Sequence, residues 1–324
     1  MSVRASDAGH AGAGPFWKQQ KWEATIAFWV LMAPMLIGLG LFVFAPIVWG
    51  FLISLSEARN TVSISEFVGF QNYVDILRDS AFRKAMRTGV IFTAFIVPLT
   101  FVFSLGLAML VNGAGFGRPV FRTIFFIPTA VSYVIASLVW KTSIFNGTPY
   151  GVANLALYEW FGYEKVISWI SPPAGDPPWY WLVLVTVRLW LQVGFYMIIF
   201  IAGLQEIPRD LYEAAYVDGA RSGWTTFRTI TLPLLRNTSI AVLLLNFIAA
   251  FQAFDEFANI FGSTGASAGN VGLARPPLIY LFQIGLNNQN YGLASAGAFI
   301  LTALIIAVTL VQGRIFGFGR STAA

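Results

Sequence analysis

Long runs without a charged residue dominate the pattern of hydrophobic and polar positions along this chain. A helix needs about 20 predominantly apolar residues to cross the hydrocarbon core of a bilayer, and several of these runs reach that length. The pattern predicts about six transmembrane helices, at roughly residues 26–52, 90–111, 123–145, 179–204, 238–261 and 293–316. The predicted fold class is therefore an all-α integral membrane protein, with residues 1–25 and 317–324 as tails outside the bilayer.

Composition supports a membrane protein and excludes several other classes. Hydrophobic residues make up 57% of the 324 positions and charged residues 11%, whereas soluble domains carry roughly 25% charged residues. This balance excludes a nucleic-acid-binding domain, a disordered chain and an ordinary soluble enzyme. Cysteine is absent and the only histidine is His10, so we expect neither a catalytic site nor a metal site.

The distribution of Lys and Arg predicts the orientation in the membrane, because these residues concentrate on the cytoplasmic side. With the N-terminus inside, the inner segments hold eleven of them and the outer loops seven. Five of those seven lie between residues 57 and 87, so the first outer loop opposes this orientation while the other loops favour it. We predict that the N- and C-termini are both cytoplasmic.

One inner segment, residues 205–236, is rich in charge. Eight of the 35 charged residues of the chain lie between positions 206 and 236. Pro208 suits the first turn of a helix, and acidic and small apolar residues then recur on different faces. Gly219 offers a turn, and Pro233 opens the next apolar run. We interpret the segment as two short helices lying across the cytoplasmic end of the bundle; the alternative is an ordinary interfacial loop.

The same segment resembles the E-A-A loop of permease subunits of bacterial ABC import systems. That pattern runs E-A-A, three residues, G, nine residues and I-x-L-P. The matching residues are Glu213, Ala214, Ala215, Gly219, Ile230, Leu232 and Pro233. Ten residues rather than nine separate Gly219 from Ile230, so the second short helix departs from the spacing of the pattern.

Flanking elements narrow the resemblance to the carbohydrate-uptake branch of these permeases. Gly69-Phe70-Gln71-Asn72-Tyr73 is similar to the G-x-x-N-Y element of that branch. Tyr291-Gly292 is similar to the start of its last span. The resemblance covers roughly residues 25–316, and the first-loop element favours the first of the two permease types.

The resemblance implies a type I ABC importer permease fold over residues 26–316, with the coupling loop at 205–236. It implies a second related permease subunit, an ATP-binding cassette ATPase dimer, an extracytoplasmic solute-binding protein and a carbohydrate substrate as partners. The complex would lie in the lipid bilayer of the bacterial cytoplasmic (inner) membrane and bind no nucleic acid. Since this chain has no Walker A sequence, we expect it to be no enzyme and to hold no cofactor. ATP and Mg²⁺ would be used by the partner ATPase subunits.

The resemblance also assigns roles in ATPase coupling. Glu213 would make the polar contact with the ATPase, Ala214 and Ala215 would pack in its cleft, and Gly219 would make the turn. The ATPase-coupling candidates are Glu213, Ala214, Ala215, Asp218 and Gly219.

Polar residues in the fourth and fifth predicted spans are candidates for the substrate pathway, because intramembrane polar groups are expensive and mark function by default. These two spans line the pathway in the family that the chain resembles. The candidates are Arg188, Gln192, Tyr196, Asn246, Gln252, Asp255, Glu256 and Asn259. Arg188 could pair with Asp255 or Glu256, or it could contact an anionic substrate such as a uronate oligosaccharide. The sugar is therefore left open between neutral and acidic.

Two alternatives complete the sequence-based picture. A stand-alone secondary transporter is the alternative function, but such proteins usually show paired repeats and none is evident here. Gly265–Gly269 fits a G-x-S-x-G nucleophile pattern, which lacks a histidine partner in this chain. The Gly-rich loop 262–272 is predicted to be flexible, and the Pro- and aromatic-rich segment 146–178 is predicted to be an interfacial or docking element.

Overall fold

The computed structural model describes residues 16–64, 66–113, 115–173, 176–220, 223–262 and 274–316. The chain divides into two compact units after Leu52. Helix α1 spans Phe16–Leu39, and a π-helical turn, Gly40–Phe44, leads into α2, Ala45–Ser54, whose last two residues belong to the second unit. The apolar stretch Trp22–Ser54 has a mean hydropathy of 2.4 and contains the first predicted span.

The second unit is almost entirely helical in its described residues. Its elements are β1 (Ser56–Glu57), β2 (Glu66–Phe67), α3 (Gln71–Arg78), α4 (Ser80–Gly113), α5 (Arg118–Phe126), a 3-10 turn (Ile127–Ala130), α6 (Tyr133–Val139), a π-helical turn (Trp140–Ile144), α7 (Val152–Phe161), α8 (Tyr180–Glu206), α9 (Arg209–Val217), α10 (Trp224–Thr226), a π-helical turn (Phe227–Thr231), α11 (Leu232–Leu234), α12 (Arg236–Phe251), α13 (Asp255–Phe261), α14 (Pro277–Phe282), a π-helical turn (Gln283–Asn287) and α15 (Tyr291–Phe316). The predicted loop 262–272 and the Gly265–Gly269 pattern fall almost entirely at positions 263–273, outside the described residues.

The predicted fold class is confirmed, and the structure adds a bend in the third span. The described residues contain five helices that are long and apolar enough to cross a membrane, or six with a bent pair. The span predicted over 123–145 is sharply bent, because Arg118–Ala130 and Tyr133–Ile144 meet at 93°. Pro128 cannot donate a backbone hydrogen bond, and Ser132 has extended backbone and caps α6 with its hydroxyl. These two residues explain the bend.

Residues 54–73 and Gly292 at the start of α15 are far apart in the chain but pack together beside the antiparallel pair β1 and β2. Asn72 donates from Nδ2 to the carbonyls of Ser54 and Ser56, at 3.0 Å in both cases. The hydroxyls of Tyr73 and Ser54 lie 2.7 Å apart. A side chain at Gly292 would overlap the Ser56 carbonyl, which explains why glycine occupies this position.

Helices α4 and α8 pack along each other and organise the core of the second unit. Phe92 of α4 and Val187 of α8 belong to one buried cluster, and Phe200 of α8 belongs to another. At Gly194 the backbone of α8 approaches α5 so closely that a Cβ would overlap the carbonyl of Phe125. Small residues at such positions allow membrane helices to pack closely.

The segment between the third and fourth spans folds around the side chain of Asn154, which is 5% exposed. Its Nδ2 contacts the carbonyls of Asn146, Thr148 and Ile167 at distances between 3.0 and 3.3 Å. Its Oδ1 accepts from the Ile167 amide and from Trp169 Nε1. One amide side chain therefore holds this segment in a defined conformation.

A second polar cluster connects α14 to the start of α4. The guanidinium of Arg275 lies 4.6 Å from the ring centroid of Tyr280 and donates to Gln283 Oε1 at 2.9 Å. The hydroxyl of Tyr280 donates to the carboxylate of Asp79, which also accepts from the Ala81 amide. Burial lowers the pKa of Arg275, and the nearby Asp79 carboxylate opposes that shift.

Candidate functional site

The two short helices predicted between residues 205 and 236 are present, and the first ends in a defined turn. The amide of Ala220 donates to the Ala215 carbonyl at 2.9 Å. The amide of Gly219 donates to the Tyr216 carbonyl at 3.1 Å, which completes a Schellman motif. Gly219 has a φ of 83°, a left-handed value that residues with a Cβ atom rarely adopt. The predicted turn at Gly219 is confirmed.

The second short helix contains a π-helical turn. It consists of α10, the π-helical turn Phe227–Thr231 and α11. The amide of Leu232 donates to the Phe227 carbonyl, five residues earlier. A π turn encloses one more residue than an α turn, and Ile230 lies within this turn.

The predicted coupling residues lie on the surface of α9 and the turn that follows it. Glu213, Ala214, Asp218 and Gly219 are exposed, and Ala215 is half-buried. A cleft of about 380 Å³ lies beside them, between α9 and the second short helix. It is lined by Tyr212, Glu213, Tyr216, Val217, Ala220 and Thr226. This surface offers two carboxylates, those of Glu213 and Asp218, and several small side chains to a partner. Its contact with an ATPase stays a prediction.

Arg188 is the centre of a polar site inside the bundle. Its Nη1 lies 2.8 Å from Glu256 Oε1, and the two side chains are 6% and 1% exposed. Its Nη2 donates to the Ala249 carbonyl at 2.6 Å. Its Cζ lies 5.2 Å from the ring centroid of Tyr133, within the range of a cation–π interaction. Of the two acidic partners considered from sequence, Glu256 rather than Asp255 forms the ion pair.

The fifth span is broken next to this pair. Helix α12 ends before α13 begins, and Gln252–Phe254 separate them. The amide of Ala253 donates to the Ala250 carbonyl at 3.3 Å, whereas a continuous α-helix would direct it to Ala249. Backbone groups released inside a membrane need other partners, and Arg188 is that partner for Ala249.

Two of the predicted pathway residues are buried among the helices. Tyr196 is 2% exposed and belongs to the same apolar cluster as Phe200. Asn246 is fully buried and donates from Nδ2 to the Val97 carbonyl at 3.2 Å. In this conformation Tyr196 and Asn246 join spans to one another and present no surface to a substrate.

The remaining predicted pathway residues have accessible surface. Gln252 and Asp255 are exposed at the break, and Gln192, one turn from Arg188 on α8, is half-buried. Asn259 is half-buried, and its carbonyl accepts from Lys141 Nζ at 3.4 Å. Of these residues, Gln252 and Asp255 lie at the break itself, and Asn259 lies one turn further along α13.

Sequence reasoning missed three parts of this site: Tyr133, the Ala249 carbonyl and the break itself. Sharp interruptions of a helix usually occur at Pro, at Gly/Ser pairs or at π-bulges, but the break has the sequence Gln252-Ala253-Phe254. Tyr133 belongs to the bent third span, whose geometry the hydropathy pattern did not indicate. No local signal in the sequence marks any of the three.

Comparison with known proteins supports this architecture. Residues 105–316 match the family described as binding-protein-dependent transport system inner membrane component. The chain is 31% identical over 298 residues to the trehalose/maltose transport system permease protein MalF of Thermococcus litoralis, covering 92% of this chain and 96% of that protein. It is 32% identical over 291 residues to the sn-glycerol-3-phosphate transport system permease protein UgpA of Agrobacterium fabrum, covering 88% and 93%.

The fold is also similar to a solved structure. A chain in the crystal structure of a bacterial alginate ABC transporter, in complex with an alginate pentasaccharide-bound periplasmic protein, superposes with a TM-score of 0.78. The two sequences are 20% identical, and the match covers 93% of this chain and 97% of that chain. This likeness shows the fold.

Fold and comparisons together define a multi-pass inner-membrane permease subunit of an ABC importer, with the type I fold. The chain belongs to the family of binding-protein-dependent transport system inner membrane components. Its relatives are transport permeases, so the stand-alone secondary transporter considered from sequence is set aside.

Proposed function

We propose that this chain is one half of a heterodimeric pore that imports a neutral carbohydrate, and that it is the first of two related permease types. The relative at 31% identity is named as a trehalose/maltose permease, which supports a sugar substrate. The relative at 32% identity is named for sn-glycerol-3-phosphate, an anion, so the choice of a neutral sugar rests on the charge balance of the site and not on the relatives. A second permease subunit, an ATPase dimer and an extracytoplasmic solute-binding protein complete the proposed importer. The ATPase subunits use ATP and Mg²⁺, and this chain holds no cofactor of its own.

The polar break in the fifth span is the observation that carries the proposal. Gln252 and Asp255 are exposed there, and Gln192 lies half-buried on the neighbouring α8. Amide and carboxylate groups can exchange hydrogen bonds with sugar hydroxyls. Discontinuous membrane helices form the substrate sites of other transporters, so this break is where we place the substrate.

Charge balance at the break favours a neutral sugar. Arg188 is already bound to Glu256 and to the Ala249 carbonyl. An anionic sugar that paired with Arg188 would displace Glu256 and leave a buried carboxylate unpaired, which costs about 3–5 kcal/mol when a buried pair loses one partner. The exposed carboxylate of Asp255 would also repel an anion.

The surface of α9 is proposed to receive the ATPase. Glu213 makes the polar contact, Ala214 and Ala215 pack in the ATPase cleft, and Asp218 and Gly219 form the turn that ends the contact. This arrangement places residues 205–236 on the cytoplasmic side. With six spans, the N- and C-termini are then cytoplasmic as well.

ATPase assays on the purified complex in lipid nanodiscs test this proposal. The probes are a panel of neutral oligosaccharides and a panel of uronate oligosaccharides, each loaded on the binding protein. We expect stimulation by members of the neutral panel only. Stimulation by uronates alone would overturn the neutral assignment, and stimulation by neither sugar class would overturn the assignment to carbohydrates.

A further inference from the structure

The break in the fifth span interrupts the helix that directly follows the coupling segment. Helix α12 begins at Arg236, and only Leu235 separates it from α11. Movement of the coupling segment therefore reaches α12 first and then meets the break at Gln252–Phe254. Regular hydrogen bonding is interrupted at the break, so α13 can change its angle to α12 unless side chains hold it.

One guanidinium contacts both sides of the break. Nη2 of Arg188 donates to the Ala249 carbonyl in the last turn of α12 at 2.6 Å. Nη1 of the same group donates to Glu256 Oε1, in the first turn of α13, at 2.8 Å. A guanidinium is planar and its donors have a fixed geometry, so these two bonds constrain the distance and angle between the half-helices.

Burial makes this arrangement persistent. Arg188 and Glu256 are 5% and 1% exposed, so water has little access to either. The ring of Tyr133 lies 5.2 Å from the guanidinium carbon and limits its motion on a third side. A lysine ammonium at this position would retain the charge but lose the planar fork.

We propose that Arg188 is a positioning residue that pins α12 to α13 and thereby transmits the movement of the coupling segment across the break. Arg188 does not bind the substrate in this proposal, which rests on the proposed importer function. When the two hydrogen bonds of Arg188 are weakened, α12 still moves with the ATPase, but the movement of α12 no longer fixes the position of α13.

Because this chain contains no cysteine, spin labels can be attached at two chosen positions to measure how α12 and α13 move relative to each other. Leu245→Cys in α12, at a position 47% exposed, and Ala258→Cys in α13, at a half-buried position, place one spin label on each side of the break. The distance distribution between the labels is measured by pulsed electron paramagnetic resonance in the full complex, with and without ATP. Uptake KM and stimulation of ATPase activity by the loaded binding protein are measured in parallel, on complexes without labels.

Arg188→Lys is the principal variant, and Arg275→Lys is its matched control. Arg275 also donates a hydrogen bond and stacks on a tyrosine, but its described contacts are with Tyr280 and Gln283. We expect Arg188→Lys to broaden the distance distribution and to reduce stimulation roughly fivefold or more, the lower range of typical coupling between sites. We expect an unchanged KM, and we expect Arg275→Lys to behave as the parent chain. An unchanged distribution in Arg188→Lys overturns the proposal, and a raised KM with an unchanged distribution assigns Arg188 to the substrate instead.

A double variant separates positioning from simple stability. Replacing a buried ion pair with apolar residues often leaves stability unchanged, whereas removing one partner is strongly destabilising. Arg188→Met with Glu256→Met should therefore restore the yield lost in Arg188→Met alone, but not the narrow distance distribution or the stimulation. Recovery of all three would show that the pair is only structural and would overturn the proposal. If the double variant does not assemble, Arg188→Lys still decides.

Failure of the proposed substrate class and failure of the proposed role of Arg188 give different experimental results. The response of the label distance to ATP is measured without any sugar, in the chain with native Arg188. A carbohydrate panel that gives no stimulation removes the substrate assignment, while a variant with an unchanged distance distribution removes the role of Arg188.

Discussion

The hydroxyls of Tyr212 and Thr231 lie 3.1 Å apart and join the two short helices of the coupling segment. Tyr212 and Phe227 also pack against the buried cluster that contains Leu204, Ile207 and Leu235. The segment is thus attached both to itself and to the ends of the fourth and fifth spans. Its movement as one body depends on these contacts.

Tyr212→Phe removes the hydroxyl but keeps the ring. A typical hydrogen bond contributes about 1 kcal/mol, which corresponds to a roughly fivefold change in an equilibrium. We expect the ratio of sugar imported to ATP hydrolysed to fall by up to that factor in proteoliposomes, with normal assembly. Tyr150→Phe, at a position 90% exposed and outside the coupling segment, is the matched control. An equal loss of coupling in both variants would contradict a specific role for the Tyr212 hydroxyl.

Glu213→Lys reverses the charge on the wall of the cleft beside α9. Because Glu213 is exposed, the substitution should leave membrane insertion intact while it removes the proposed polar contact with the ATPase. We expect ATP hydrolysis uncoupled from uptake. Glu159→Lys makes the same charge change on the exposed surface of α7, and normal uptake by Glu213→Lys would reject the coupling role.

Gly219→Pro tests the turn that ends α9. Proline holds φ near −65°, whereas Gly219 has a φ of 83°, so the Schellman turn cannot form. We expect normal insertion of the chain and loss of uptake, measured against Gly115→Pro as a substitution outside the segment. Uptake at the level of the parent chain would show that the turn is dispensable.

Asn154→Ala removes the amide that organises the segment between the third and fourth spans. Several backbone groups that it bonds would lose their partner, and each buried group left unsatisfied costs about 1–3 kcal/mol. We expect lower thermal stability of the solubilised complex. Asn237→Ala, at an exposed position, serves as the control, and equal melting temperatures for the two variants would refute the structural role of Asn154.

Gly194→Val places a side chain where α8 meets the Phe125 carbonyl. Overpacking of this kind costs about 1–3 kcal/mol or more, because the helices must separate. We expect reduced accumulation of the chain in membranes. Gly106→Val is the matched control, since a Cβ at Gly106 meets nothing within 4 Å. Equal accumulation of both variants would contradict the close contact.

Sequence reasoning succeeded for features that depend on neighbouring residues. Gly219 was predicted to form a turn, and it does so because the left-handed conformation is a local property of glycine. The departure in spacing between Gly219 and Ile230 was visible in the sequence, but the π-helical turn at Phe227–Thr231 was not. The choice between an α and a π turn depends on how the segment packs against the bundle.

The membrane topology could be predicted only in part. Hydropathy located the third span but not its 93° bend, because apolar content does not report the direction of a helix. It located the fifth span but not the break at Gln252–Phe254, which contains neither Pro nor Gly. Backbone interruptions of this kind depend on partners elsewhere in the fold that satisfy the released groups.

The sequence by itself determined a polytopic membrane protein with a charged inner segment, because hydropathy and motif spacing are properties of short stretches. Only the tertiary structure decided that Arg188 binds Glu256, which lies 68 residues away, and the Ala249 carbonyl. Asp255 and Glu256 were both possible partners in the sequence, and the packing of α8 against the broken fifth span selected Glu256. The physical reason is that an ion pair inside a membrane requires contact and burial, and both arise from helices that are distant in the chain.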